Sequence, residues 1–247
     1  MLYGNQSISH YSPSNVIIWM ILAFQAGLLN IGGFLAGHKI VSHVTGFATF
    51  FGYEISTGSG NALNMLIVPA FFLLGAMISG YFVDIRLKLH KKPRYYITFG
   101  FMFILTCVIW FMGITGKFGV FGEQSIEIPS HVLLMLLCLV CGIQNGTIST
   151  VSRSIVRTTH LTGITTDLGL GIVRILYRKK LNDKIIDEDK ANLMRVGIIT
   201  FFVLGSIAGG FLFAHFRFHG FLVPVLISGS LFSLMVYFQV LKHRMLN

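Results

Sequence analysis

Apolar residues run along this chain in long blocks, and the breaks between blocks define its elements. Val16–Ala36, Ala62–Val83, Tyr95–Ile114, Val132–Ile148, Val196–Phe213 and Phe221–Leu241 are nearly uninterrupted apolar stretches. Each is close to the ~20 residues with which an α-helix crosses the hydrocarbon core of a bilayer. The pattern therefore predicts an all-α integral membrane protein with six transmembrane helices. After the first block, and again after the fourth, comes a shorter segment rich in Gly and Thr. Gly46–Thr57 is too brief for a comfortable crossing.

These two short segments open on the same residues. Val41-Ser42-His43-Val44-Thr45-Gly46 in the first is matched by Thr158-Thr159-His160-Leu161-Thr162-Gly163 in the second. With His43 set on His160, the pairs Thr45/Thr162, Gly46/Gly163, Thr49/Thr166, Gly52/Gly169 and Ile55/Ile172 are also identical. An internal duplication follows. Its parts are a tail over 1–15, a first membrane repeat over 16–116, a loop over 117–130, a second repeat over 131–241 and a tail over 242–247. Three crossings per repeat is an odd number, so the second copy enters the membrane upside down relative to the first.

Composition and charge fit that picture. The chain is 54% hydrophobic and only 11% charged, against about 25% charged residues in soluble domains. A net charge of +10 would suggest a nucleic-acid partner if the cations clustered on a soluble domain. Here they lie between apolar blocks. With both termini cytoplasmic, sixteen of the nineteen Lys and Arg residues fall on one side; only Lys39, Lys117 and Arg217 do not. An eight-crossing alternative would push the basic stretch 174–195 outside. Met1–Asn15 holds no Lys or Arg, so no ordinary signal-peptide start is expected and the first span is expected to be retained. Cys107, Cys138 and Cys141 lie inside apolar blocks and read as packing residues rather than a redox or disulfide framework.

The layout, together with Ala26-Gly27, Asn30-x-x-Gly33-Phe34-Leu35, Ser42-His43-Val44-Thr45-Gly46, Gly142-Ile143-Gln144-Asn145-Gly146 and Val156-Arg157-Thr158-Thr159-His160-Leu161-Thr162-Gly163, resembles the YoaK family. These are bacterial inner-membrane proteins classed under domain of unknown function 1275. The resemblance covers nearly the whole chain. It implies a multi-pass protein of the bacterial inner membrane, and it carries no established activity.

The motifs suggest what chemistry the membrane holds. Gly permits a sharp turn, and Thr is suited to capping the helix that follows. In an inverted arrangement the two short helices would meet near the midplane, their electropositive N-termini facing one cavity. The alternative is that both lie flat at the interface. Phe47, Phe50, Phe51 and Ile55 would then form one apolar face, and Ile164, Leu168, Ile172 and Ile175 the other. The candidate solute-binding residues are Asn30, His43, Thr45, Gly46, Gln144, Asn145, Arg157, His160, Thr162, Gly163 and Asp167. Gln25, Asn30, Gln144 and Asn145 could equally bond only between helices. Gly75-x-x-x-Ser79 and Gly205-x-x-x-Gly209 read as close-packing stripes.

No His-Glu-x-x-His, Gly-x-Ser-x-Gly or phosphate-binding Gly-x-x-x-x-Gly-Lys-Ser/Thr pattern is present. The first expectation is a transporter or channel-like permease for a small polar solute, with an anion favoured. A membrane-integral metal enzyme using His43, His160 and Asp167, or a non-transporting sensor or assembly subunit, are the alternatives. The expected partners are the lipid bilayer and a small-molecule solute. Nucleic acid and a cofactor are not expected, and a homo-oligomer is compatible with the pattern.

The charge bias yields a topology test. In intact cells, single cysteines at Lys91 and Asn182 are expected to resist an impermeant thiol reagent, and one at Gly122 to react. Outside labelling of position 182 would rule out the six-crossing arrangement.

Overall fold

The computed structural model describes residues 13–58, 60, 62–123, 128–151, 161–180 and 188–241. Among these the fold is helical, without strands: α1 (Pro13–Gly37), α2 (Val44–Thr57), α3 (Ala62–Ser79), α4 (Ile85–Lys88), α5 (Tyr95–Ile114), α6 (Ile128–Val151), α7 (Leu161–Leu176), α8 (Glu188–Phe216) and α9 (Leu222–Val236). A π-turn at Gly80–Asp84 joins α3 to α4, and a second, Tyr237–Leu241, extends α9.

Five helical runs are long and apolar enough to cross a membrane: Asn15–Gly37, Ala62–Lys88, Tyr95–Ile114, His131–Thr150 and Glu188–Leu241. The last is 54 residues long and contains both of the final apolar blocks. It is broken at Arg217–Phe221, where Arg217 takes a left-handed φ of 49°. There the chain turns, and α9 packs mainly against α5. Phe213 meets Phe221 with ring centroids 4.7 Å apart, and Phe201 of α8 lines a shared groove with Leu226 and Leu231 of α9.

The helices meet through glycine. In a bilayer, lipid tails are as apolar as Leu, so close van der Waals packing must hold helices together. A side chain at Gly27 of α1 would run into the backbone of Phe202 and Ser206 in α8, and one at Gly205 into the backbone of Phe24. The same device joins α3 to α6: Gly75 lies against Leu139 and Gly142, and Gly142 against Phe72. Gly209 receives Ile31, and Gly146 receives Ser79. Both small-residue stripes are thus contact faces. In the α5–α9 contact, a Cβ on Gly100 would lie 3.1 Å from the Phe232 ring and one on Gly229 would lie 2.9 Å from the Phe103 ring.

Neutral polar side chains lock these contacts. Gln25 Nε2 donates to Ser228 Oγ at 2.8 Å, Gln144 Nε2 to the Leu22 carbonyl at 2.8 Å, and Ser79 and Thr147 share a hydrogen bond of 3.1 Å. At the start of α5, the Tyr96 N–H donates to Gln239 Oε1 at 3.2 Å, and Gln239 Nε2 donates to the Pro93 carbonyl at 3.2 Å. α1 and α6, which carry most of this polar layer, are also the most buried of the spans, at 72% and 61% of their apolar windows. Cys138 and Cys141 of α6 are free and buried.

The crossings generate a stability prediction. Gly142→Ala and Gly205→Ala each force a methyl into backbone and should destabilise the protein by about 1–3 kcal/mol, the usual cost of overpacking. Gly210→Ala, where nothing lies within 4 Å of the added carbon, should be close to neutral. Thermal melting in detergent, followed by size-exclusion recovery, separates these outcomes.

Candidate site at the two motif helices

The first motif turns back along α1. α1 ends at Gly37, and His38 takes a left-handed φ of 53°. His38 Nε2 lies 3.1 Å from the Gly122 carbonyl, tying this corner to the loop after α5. The chain then reverses. The Ser42 N–H donates to Asn30 Oδ1 at 3.1 Å, and Asn30 Nδ2 donates to Ser42 Oγ at 2.7 Å. Val41 is fully buried, its carbonyl accepts from Cys138 Sγ at 3.1 Å, and its side chain fills the space beside Gly33. Asn30 lies three residues past the Gly27 crossing, which is about 5 Å along the helix axis. The first motif therefore begins close to the level of the central crossing and not at the end of α1.

α2 runs outward from there. The His43 carbonyl accepts from the Gly46 and Phe47 N–H groups at 2.9 and 3.4 Å, whereas the first amides of a helix have no partner within it. They carry the positive end of the helix dipole. The side chains of His43, Val44 and Thr45 are exposed and Gly46 is half-buried. A Cβ on Gly46 would lie 2.9 Å from His43 Nδ1, so glycine leaves room for the imidazole. Phe47 is the buried residue of this helix; Phe50 and Ile55 are exposed. The Lys39 ammonium lies 3.5 Å from the Phe50 ring centroid. Burial pushes this ammonium down from its ordinary pKa, and the Glu54 carboxylate pulls it back up.

In the second motif, Arg157 and His160 lie outside the described residues. α7 begins at Leu161, with Thr162 exposed and Gly163 and Asp167 half-buried. It rests on α8 as α2 rests on α3. Thr166 Oγ1 donates to the Thr162 carbonyl at 3.0 Å, and Thr49 Oγ1 to the Thr45 carbonyl at 3.0 Å. Among the described residues, neither Gly52 nor Gly169 has an atom within 4 Å of where a side chain would begin. The recurring pairs Thr45/Thr162, Thr49/Thr166 and Gly52/Gly169 therefore occupy open helix faces in both copies.

Of the remaining candidates, Gln144 ties α6 to α1 through the Leu22 carbonyl. Asn145 is half-buried, and its Oδ1 accepts no hydrogen bond. Among the described residues, no three His, Cys, Asp or Glu side chains come together as a metal would require. A groove of about 380 Å³ lined by Ile21, Phe24, Phe201, Leu226 and Leu231 is apolar. Two features of the site carried no motif in the sequence: the Asn30–Ser42 clasp and the Lys39–Phe50 contact. Asn30 and Ser42 each stand in a conspicuous stretch of the sequence, but they are twelve residues apart, and nothing in the sequence pairs a residue inside α1 with one beyond its end.

Long apolar helices joined by glycine crossings, with neutral polar bonds between them, make this a multi-pass helical membrane protein. It belongs to the DUF1275 family of proteins of unknown function, whose model matches residues 18–234. No curated protein and no solved structure matches the chain.

The clasp can be tested directly. Asn30→Ala leaves the buried Ser42 N–H without its acceptor and should cost about 1–3 kcal/mol. An unchanged midpoint in SDS-induced unfolding would mean that the loop does not depend on this bond.

Proposed function

We propose that this protein is a permease, carrier or channel-like, for a small polar solute of anionic character. Its solute site lies at the N-terminal ends of the two motif helices. In this reading the chain makes six crossings as two inverted halves, 16–116 and 131–241, with both termini cytoplasmic. The setting is a cell membrane, the bacterial inner membrane on the family resemblance.

The glycine contacts support the inverted halves. Phe24-x-x-Gly27 of α1 meets Phe202-x-x-Gly205 of α8, and Leu139-x-x-Gly142 of α6 meets Phe72-x-x-Gly75 of α3. Exchanging the halves carries one contact onto the other. It also carries α5 onto α9, where Gly100-x-x-Phe103 and Gly229-x-x-Phe232 interlock reciprocally. The place of the clasp supports re-entrance, since Ser42 returns to the level of Asn30.

One observation carries the functional reading: Thr45, Thr49 and Gly52, and their counterparts Thr162, Thr166 and Gly169, recur without being spent on packing. Residues kept in both copies on open faces need a reason other than the core. Polar groups at membrane depth must face water, solute or protein. Free N–H groups, the helix dipole and His43 all favour negative charge. Asp167, Glu54 and Asn145 are the acceptors near the motifs; a carboxylate there can carry a coupled proton.

A thermal-shift screen in detergent tests this reading. Small carboxylates and inorganic anions should raise the melting point in a saturable way, with about 2.7 kcal/mol of stabilisation at a concentration 100 times Kd. Amines and metal cations at equal ionic strength should not. Gly46→Leu, which drives a side chain into His43, should remove the anion effect while folded protein remains, and so should Gly163→Leu. Stabilisation by cations alone, lost in Asp167→Asn, would overturn the anionic assignment.

A further inference from the structure

The two motif helices occupy matching places but are held by different chemistry. α7 meets α8 through Gly171, where a side chain would collide with Asn192 Oδ1, Glu188 Oε1 and Arg195 Nη1. Behind that glycine, Arg195 Nη1 donates to Glu188 Oε1 at 2.6 Å and to Asn192 Oδ1. Arg174 of α7 reaches Glu188 Oε2 at 3.4 Å. Arg195 and Asn192 are only 8% and 7% exposed. An outer pair, Arg178–Asp189 at 2.7 Å, follows on the surface.

α3, on which α2 rests, carries no Lys, Arg, Asp or Glu over Ala62–Ser79, so no ion pair of this kind joins the two; Glu54 of α2 acts instead on Lys39. In the duplication Gly171 corresponds to Glu54. Matching Gly205 to Gly75 sets Asn192 and Arg195 on Ala62 and Met65. Met65 is buried and apolar. The outer half of α2 has the Lys39–Phe50 contact, and Gly58 and Gly60 beyond it take left-handed φ angles of 65° and 77°.

We infer that Arg195 is a positioning residue: acting through Glu188 and Asn192, it seats Gly171 and fixes α7 on α8, leaving α2 as the motif helix that moves. Arg195 lies ten residues before the Gly205 crossing, about 15 Å along the axis, at the edge of the hydrocarbon. A guanidinium at that depth is held only when it is paired and hydrogen-bonded. Gly171 lets the α7 backbone close over the pair, and a larger residue would hold the helices apart. In a carrier this gives one fixed and one swinging half of the site. The inference rests on the reading of α2 and α7 as paired motif helices.

The test is nitroxide mobility in lipid nanodiscs, in a Cys107→Ala background, with the label at Leu176→Cys on α7 or Tyr53→Cys on α2. Both positions are exposed. The expected result is an immobilised spectrum at 176 and a mobile one at 53. Arg195→Gln and Gly171→Ala should each mobilise 176 and leave 53 unchanged, and Arg195→Lys should keep part of the immobilised component. Gly171→Ala retains every charge, so it decides the matter if Arg195→Gln does not fold. The inference is overturned if Gly171→Ala leaves 176 immobilised, if 53 is as immobile as 176, or if both labels loosen together. No solute is present, so this result stands or falls apart from the anion screen.

Discussion

The contact on which the rest of this structure depends is backbone against backbone at four glycines. Gly27 with Gly205, and Gly75 with Gly142, let two helix pairs approach until carbonyl and amide groups nearly touch. Water expels apolar surface in a soluble protein, but a lipid-solvated helix gains nothing by hiding Leu from lipid. Close approach supplies the missing attraction through many short contacts, each small and together large. It also brings neutral polar groups within bonding range. Gln25 can reach Ser228, and Gln144 the Leu22 carbonyl, because glycine has already set the spacing.

Much of this was legible in the sequence, because membrane helices announce themselves by length and apolarity. The small-residue stripes at Gly75/Ser79 and Gly205/Gly209 were readable as contact faces, although not which helices they would meet. Partners are a tertiary fact. Gly27 and Gly142 each look unremarkable within their own helix. The faces of α2 are not decided by the sequence: the spacing of Phe47, Phe50, Phe51 and Ile55 suits a re-entrant or an interfacial helix equally, and in the structure Phe47 is buried while Phe50 and Ile55 are exposed. Arg195 was read as one more cation in a charged stretch, whereas α8 begins earlier and carries it into a buried seam with Glu188. A charge pattern cannot reveal that a glycine on another helix will cover it. Arg157 and His160 fall outside the described residues, so for them the sequence reading stands by itself.

The polar residues of the chain divide by use. Inside the crossings, Gln25, Gln144, Ser79 and Thr147 are bonded between helices, with ordinary structural work to do. Those of the motifs stand on open faces, and their threonine hydroxyls are satisfied by the helix carbonyl one turn back. That leaves the surfaces chemically quiet but able to exchange partners. On the permease reading proposed above, a wall that binds and releases a solute needs that property more than it needs strong fixed bonds.

The glycine pairing also has a consequence for how the protein is made. α1 finds its closest neighbour in α8, and α6 finds its own in α3, so the two halves of the chain are interleaved rather than stacked. When α1 leaves the ribosome, the segment that will cover Gly27 does not yet exist. At about 5–20 residues per second, the wait for α8 is roughly ten to forty seconds. Throughout that time the first half sits in the membrane with its closest-packing face open to lipid or to whatever guards nascent helices. Neither half can finish alone, and completion of the fold is timed by the end of translation.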